Sequence, residues 1–83
     1  MENIARSLKQ LGAVVRQTRK QRGLTQASLG SLINKRQATI SNLESAESGT
    51  TLDTLFAVLS ALDLELVVRS RTKGGKEFLG DLF

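Results

Sequence analysis

The segment LTQASLGSLINKRQATISNLE, residues 24–44, constrains the fold of this chain more than any other. It holds two short stretches with apolar residues at helical spacing, separated by Ile33-Asn34-Lys35. Asn34 is one of the few non-glycine residues that tolerate a positive φ angle. The pattern therefore predicts two short helices that meet at a tight turn, the second beginning in small polar and basic side chains.

Composition predicts one small domain with an aliphatic core. The chain has 83 residues, of which 40% are hydrophobic, with three Phe and no Trp, Tyr or Pro. Cys and His are both absent, which removes disulfides, thiolate metal sites and the commonest general base. We expect no enzyme activity, cofactor or metal. Because no apolar run approaches the ~20 residues of a membrane span and MENIARSLKQ lacks a signal-peptide core, we expect a cytoplasmic protein without a membrane partner.

Charge is distributed unevenly along the chain. The net charge is +4, yet residues 3–43 contain eight Lys or Arg and no acid, and seven of the eight acids lie at Glu44 or beyond. The basic residues are Arg6, Lys9, Arg16, Arg19, Lys20, Arg22, Lys35 and Arg36. This asymmetry is typical of a polyanion-binding surface, although basic charge alone is as often a solvated face.

Periodicity and capping residues predict four helices. The first covers about Ser7–Gln21 and ends at Gly23, a suitable left-handed cap. The second covers about Thr25–Ile33, with Gly30 where another helix crosses closely, and the third about Arg36–Ser45. Thr50, with Asp53 three residues on, predicts the capped start of the fourth. The predicted inward residues are Leu8, Leu11, Val14, Val15, Thr18, Leu29, Leu32, Ile33, Ile40, Leu43, Leu52, Leu55, Phe56, Val58, Leu59 and Leu62.

The period changes after Leu62, which divides the chain into residues 1–63, 64–70 and 71–83. Leu64–Arg69 alternates like a strand, and a lone strand cannot satisfy its ladder hydrogen bonds. We expect it to pair with the same strand of a second copy, through Leu64, Leu66, Val67 and Val68. The tail 71–83 is expected to be flexible, and its apolar residues Phe78, Leu79, Leu82 and Phe83 either bind a partner or pack back on the domain.

Two family resemblances follow from these motifs. Thr25-Gln26, Gly30, Asn34, Ile40 and Leu43 together resemble the helix-turn-helix of Cro/C1-type (XRE) regulators, with Gly30 where Ala is usual and Asn34 where Gly is usual. This resemblance implies a mostly α, lambda-repressor-like bundle of four to five helices that places a recognition helix in the major groove. The runs LTQ, QATISN, TTL and the strand-like 64–69 look like HipB-type antitoxins. That similarity implies a prokaryotic, nucleoid-associated homodimer that represses its own operon at an inverted-repeat operator and binds a HipA-like serine/threonine kinase toxin.

The residue types suggest a role for each position of the second and third helices. Base contacts are expected from Arg36, Gln37, Ala38 and Ser41: Gln suits adenine, Ala a thymine methyl, and Arg guanine or a phosphate. Ala38 is as easily a plain helix former. Phosphate contacts are expected from Thr25, Gln26, Lys35, Thr39 and Asn42. Arg16, Arg19 and Lys20 are weaker candidates, and Glu44 and Glu47 are expected to repel DNA and mark the edge of the footprint.

The predicted function is a sequence-specific DNA-binding repressor that serves as the antitoxin of a HipA/HipB-type operon. The alternatives are a stand-alone XRE regulator without a toxin, and an interaction module that mainly sequesters the toxin. RNA binding is disfavoured because the sequence lacks the aromatic platform on which single-stranded bases stack.

Overall fold

The computed structural model describes residues 2–47 and 49–71, and within these ranges it contains four α-helices. They are α1 (Leu8–Gln21), α2 (Gln26–Leu32), α3 (Gln37–Glu44) and α4 (Leu52–Ala61). The predicted positions of all four helices are confirmed to within about two residues, which is the usual uncertainty of helix ends. None of the helices in these ranges is long and apolar enough to cross a bilayer.

Hydroxyl side chains cap three of the helix N-termini. Ser7 accepts the amide of Gln10 at 3.1 Å before α1. Thr25 and Ser28 form a reciprocal capping box at α2, each hydroxyl accepting the other residue's backbone N–H at 2.9 and 2.8 Å. The predicted cap of α4 is wrong by one residue, because Thr51 rather than Thr50 is the N-cap. The hydroxyl of Thr51 accepts the amide of Thr54 at 3.1 Å, so Thr54 takes the place predicted for Asp53.

All four helices end in the same backbone arrangement, the Schellman motif. A residue with positive φ follows each helix: Gly23 (71°), Asn34 (58°), Ala46 (63°) and Asp63 (59°). The next amide then donates to a carbonyl five residues earlier, at 2.8–3.1 Å in the four cases. These bonds satisfy carbonyls that the helix itself leaves unpaired and fix the direction in which each loop leaves.

All four helices contribute to the core: α3 packs against α1 and α2, and α2 also contacts α4. Its buried apolar residues are Val15, Leu29, Ile40, Leu43, Leu55, Val58, Leu59 and Leu62. Leu11, Leu24, Ile33, Ala61 and Leu64 close its edges. In the described part of the chain, every buried polar side-chain atom has a hydrogen-bond partner.

Four predicted core residues are exposed instead. Their exposed fractions are 43% for Leu8, 64% for Leu32, 68% for Leu52 and 49% for Phe56. The buried face of α4 is turned toward Thr54 and Val58, and that of α2 runs through Leu29, Gly30 and Ile33. Aliphatic residues flank the buried face of each helix on both sides, so the sequence alone does not show which face is buried.

The predicted C-terminal strand is not assigned in the single described chain. Residues 64–71 carry neither helix nor strand, and Leu66, Val67 and Val68 are exposed. A strand that pairs only with another copy has no ladder within one chain, so its pairing stays a prediction. The tail residues Phe78, Leu79, Leu82 and Phe83 lie outside the described residues.

Candidate nucleic-acid interface

The turn between α2 and α3 is tightened by Gly30. The carbonyl of Gly30 accepts the amide of Lys35 at 2.8 Å, while Asn34 holds φ at 58°. A Cβ built on Gly30 would lie 2.6 Å from the Lys35 carbonyl oxygen. The small residue is therefore required, as predicted, but by the backbone of the turn rather than by a crossing helix. The close crossing is at Gly12, whose Cβ would meet the carbonyl of Leu43 at 2.6 Å.

The exposed face of α3 carries the residues predicted to contact bases. Ile40 and Leu43 are buried, so the opposite side of the helix presents Ala38, Ser41 and Asn42. Gln37 and Ala38 are exposed in the first turn, and Ser41 is half-buried one turn later. We call Gln37, Ala38 and Ser41 the reading face. Its side chains are polar or small, and they begin at the first turn of α3.

The predicted phosphate contacts lie around the reading face, together with Arg36, which was predicted to contact a base. Lys35 and Arg36 are exposed where the chain enters α3, and Arg36 occupies the N-cap position without a side-chain capping bond. Thr39 is half-buried on one flank, while Thr25 is exposed but engaged in the capping box at α2. The two cations therefore stand free at the helix start, whereas the Thr25 hydroxyl already has a structural partner.

A buried ion pair joins α1 to α3 beneath the reading face. Arg19 Nε lies 2.6 Å from Glu44 Oε2, and the two side chains are only 8% and 4% exposed. Arg19 Nη2 also donates to Glu44 Oε1 at 3.1 Å, and Nη1 donates to the Leu24 carbonyl at 2.8 Å. The bidentate geometry and the extra carbonyl bond offset the desolvation of both charges.

The hydrogen bond to Glu44 favours the charged form of Arg19. The hydrogen bond to Glu44 raises the pKa of Arg19 above its ordinary value, against the opposing effect of burial. A raised pKa in the folded state gives stabilisation that is complete below the ordinary value and lost only as pH rises beyond it. Arg19 therefore contributes no pH dependence near neutrality.

Gln26 connects this ion pair to the reading face. Its Nε2 donates to Glu44 Oε1 at 3.2 Å, and its Oε1 accepts a bond from Gln37 Nε2 at 3.4 Å. Gln26 was predicted to contact a phosphate, but in the free chain both ends of its amide are engaged. Gln37 is thus held at one edge of the reading face by a half-buried neighbour.

The predicted roles of Arg19 and Glu44 are wrong. Arg19 is not a solvated surface cation, and Glu44 does not mark the edge of a footprint, because its carboxylate is neutralised inside the domain. Glu47 is exposed, and its place at the edge of the footprint stays a prediction. The signal for the pair was present in the sequence: Arg19 follows Val15 by four residues, and Glu44 follows Ile40 by four, each on its helix's buried stripe.

Similarity to known proteins agrees with this geometry. The helix-turn-helix family matches residues 15–68. Antitoxin HipB from Escherichia coli strain K12 is 41% identical over 59 residues, which span 71% of this chain and 67% of that protein. A HipB–O4 20-mer complex has a TM-score of 0.76 and 36% identity, covering 87% of this chain and 100% of the other. A HipA–HipB–O2–O3 complex has a TM-score of 0.74 and 38% identity, with coverages of 88% and 100%.

The fold and the reading face define a Cro/C1-type helix-turn-helix domain. On the combined evidence of identity, coverage and structure, the chain belongs to the helix-turn-helix family and, within it, to the HipB-like antitoxins.

Proposed function

We propose that this chain is a sequence-specific DNA-binding repressor and the antitoxin of a HipA/HipB-type operon. The observation that carries the proposal is the exposed reading face of α3, backed by a buried core and preceded by two free cations, Lys35 and Arg36. Helix-turn-helix proteins insert the start of the motif's second helix, which is α3 in this chain, into the major groove, where the four base pairs can be distinguished.

Each residue of the interface then has a role. Gln37 bonds adenine, Ala38 contacts a thymine methyl, and Ser41 bonds a base edge as donor or acceptor. Arg36 bonds guanine or a phosphate beside it. The phosphate backbone is held by Thr25, Gln26, Lys35, Thr39 and Asn42, which set the register of the helix without reading sequence.

The chain acts as a homodimer through Leu64, Leu66, Val67 and Val68, of which the last three are exposed in the single chain. Dimerisation places two reading faces on an inverted repeat. We further propose a HipA-like kinase as partner, on the strength of the similar HipA–HipB–O2–O3 complex. A HipA-like kinase that co-purifies with this chain would favour the antitoxin over the alternative, a stand-alone regulator.

The test is the effect of Gln37→Ala on specific and nonspecific DNA. A lost bidentate base contact should weaken binding to the preferred operator by about 1–3 kcal/mol, or five- to 150-fold, and leave nonspecific duplex nearly unaffected. Gln17→Ala, at an exposed position of α1, is the control and should change neither. Fluorescence anisotropy at fixed salt measures both constants, because phosphate contacts make affinity depend on ionic strength.

Equal loss of affinity on both duplexes would deny Gln37 a base contact. Affinity that does not change between about 50 and 200 mM salt would contradict DNA binding altogether, since released counterions make log K fall with log salt.

A further inference from the structure

The segment 64–70 carries its charged and apolar side chains in a symmetric order about Val67. Glu65 and Arg69 stand two residues before and after Val67, and Leu66 and Val68 stand one residue before and after it. When two copies of a strand pair antiparallel about a two-fold axis, residues at equal distances from the axis face each other. This segment can therefore match charge with opposite charge, and apolar with apolar, in its own copy.

The alternation of side chains limits where a two-fold axis perpendicular to the sheet can lie. Directly opposed residues of an antiparallel pair point to the same face, and faces alternate residue by residue, so the axis passes through a residue. An axis at Glu65 or Arg69 would oppose like charges, which destabilises paired strands. An axis at Leu66 or Val68 would oppose a charged residue to Val67. An axis at Val67 avoids both mismatches.

We infer that the two-fold axis of the dimer passes through Val67, so that Glu65 of each copy faces Arg69 of the other in two reciprocal ion pairs. In the same register, Leu66 of each copy faces the partner's Val68. The inference rests on the proposed homodimer and adds the register of the two strands and the charge pattern by which one copy selects another.

Both charged side chains are exposed and can reach a partner. Glu65 makes no ion pair within the described part of the chain. Arg69 Nη1 lies 3.3 Å from Glu2 Oε1, and these two side chains are 43% and 71% exposed. Such an exposed pair contributes little to stability, and a guanidinium has several N–H donors, so Arg69 can also bind the partner's Glu65.

The apolar side chains lie on the opposite face of the segment. Leu64 packs against the core, so in an extended strand Leu66 and Val68 point to the same side as Leu64. Leu66 borders an open pocket together with Phe56 and Leu59, while Val68 is 90% exposed. The inferred register brings the partner's Val68 beside Leu66 at this pocket, where it removes apolar surface of both copies from water.

Charge reversal in the full-length chain tests the register. Glu65→Arg and Arg69→Glu each oppose like charges on both sides of the axis, so each variant dimer should dissociate about tenfold more readily than wild type. Mixed in equal amounts, the two variants oppose unlike charges, and native mass spectrometry should show mainly the heterodimer. Lys9→Glu makes the same charge change as Arg69→Glu at an exposed position of α1 and should leave the dimer unchanged.

Single cysteines give a second test that does not depend on charge, because the chain has no cysteine of its own. Val67→Cys should form a disulfide between copies in a glutathione redox buffer, since directly opposed residues lie about 4.5–5.5 Å apart, within the Cα range of a disulfide. Leu66→Cys and Val68→Cys should not link to themselves, because their copies lie roughly 7–8 Å apart on the diagonal. Mixed together, these two variants should link to each other.

Absence of the heterodimer from the mixture of charge variants would overturn the inference and leave the homodimer intact. Self-linking of Leu66→Cys or Val68→Cys in place of Val67→Cys would have the same meaning, because it would place the axis at another residue. A wild-type chain that is monomeric at micromolar concentration would instead overturn the proposed homodimer.

Discussion

Arg19 and Glu44 place two opposite charges inside a domain whose core is otherwise aliphatic. The pair ties α1 to the end of α3, and through Gln26 it reaches the surface that we propose reads DNA. The pair therefore holds α1 against α3 and also fixes one end of the Gln26 amide.

Replacing one member of the ion pair should lower the free energy of unfolding far more than replacing both. Arg19→Leu strands a buried carboxylate and should lower the free energy of unfolding by about 3–5 kcal/mol. The double variant Arg19→Leu/Glu44→Leu leaves no uncompensated charge and should recover much of that loss. Urea denaturation measures both, with Lys20→Leu, at an exposed neighbour, as a control expected to stay within about 0.5 kcal/mol. A double variant as unstable as Arg19→Leu would show that packing, not pairing, is what these side chains supply.

Sequence reasoning succeeded for residues whose chemistry allows few alternatives and failed for charged ones. Gly23 and Asn34 were predicted to adopt a positive φ because Gly and Asn are among the few residue types that tolerate it. Both predictions are confirmed. Arg19 and Glu44 were assigned to solvent because charge is normally exposed. Their burial depends on the phase of two helices at once, which requires knowing how α1 and α3 pack.

At the scale of elements, helix starts and ends carry most of the predictable information. Ser7 and Thr25 cap their helices through hydroxyl groups, as their type suggests. The end of α3 had no such signal, because Ala46 adopts a positive φ that its side chain does not favour. The sequence around residue 50 does not show whether Thr50 or Thr51 is the N-cap of α4, because that depends on which face of α4 packs against the core.

The crossing of α1 and α3 should be the contact between helices that least tolerates an added side chain. A Cβ on Gly12 would lie 2.6 and 2.7 Å from the carbonyl oxygens of Leu43 and Glu44, which are backbone atoms. Gly12→Ala should therefore destabilise the domain by about 1–3 kcal/mol, although Ala is the better helix former by about 1 kcal/mol. Thermal or urea unfolding provides the measurement.

Gln17→Ala in the same helix is the matched control. Gln17 is exposed, so this variant changes helix propensity without changing the contact between helices. If Gly12→Ala were as stable as Gln17→Ala, the two helices would not be in close contact at this point.

At the scale of the whole molecule, the order of four helices and the position of the turn follow from periodicity and caps, and both are confirmed. The association of two chains does not follow from one chain. Leu66, Val67 and Val68 are exposed, with Val68 at 90%, and that exposure is compatible with a pairing strand without establishing it. Dimerisation and the sites on DNA therefore stay predictions that require a measurement on the assembly.

Hydroxyl-radical footprinting on operator DNA tests the central claim most directly, namely that α3 reads DNA from within a two-fold dimer. The wild-type chain should protect two half-sites of an inverted repeat on one face of the duplex, spaced by about one helical turn or a multiple of it. Val68→Asp places a charge in the pairing strand and should reduce cooperative protection of the two half-sites, whereas Val68→Thr, which keeps the branched shape, should not. A single unrepeated protected site, or no protection at salt concentrations that permit nonspecific binding, would contradict the claim.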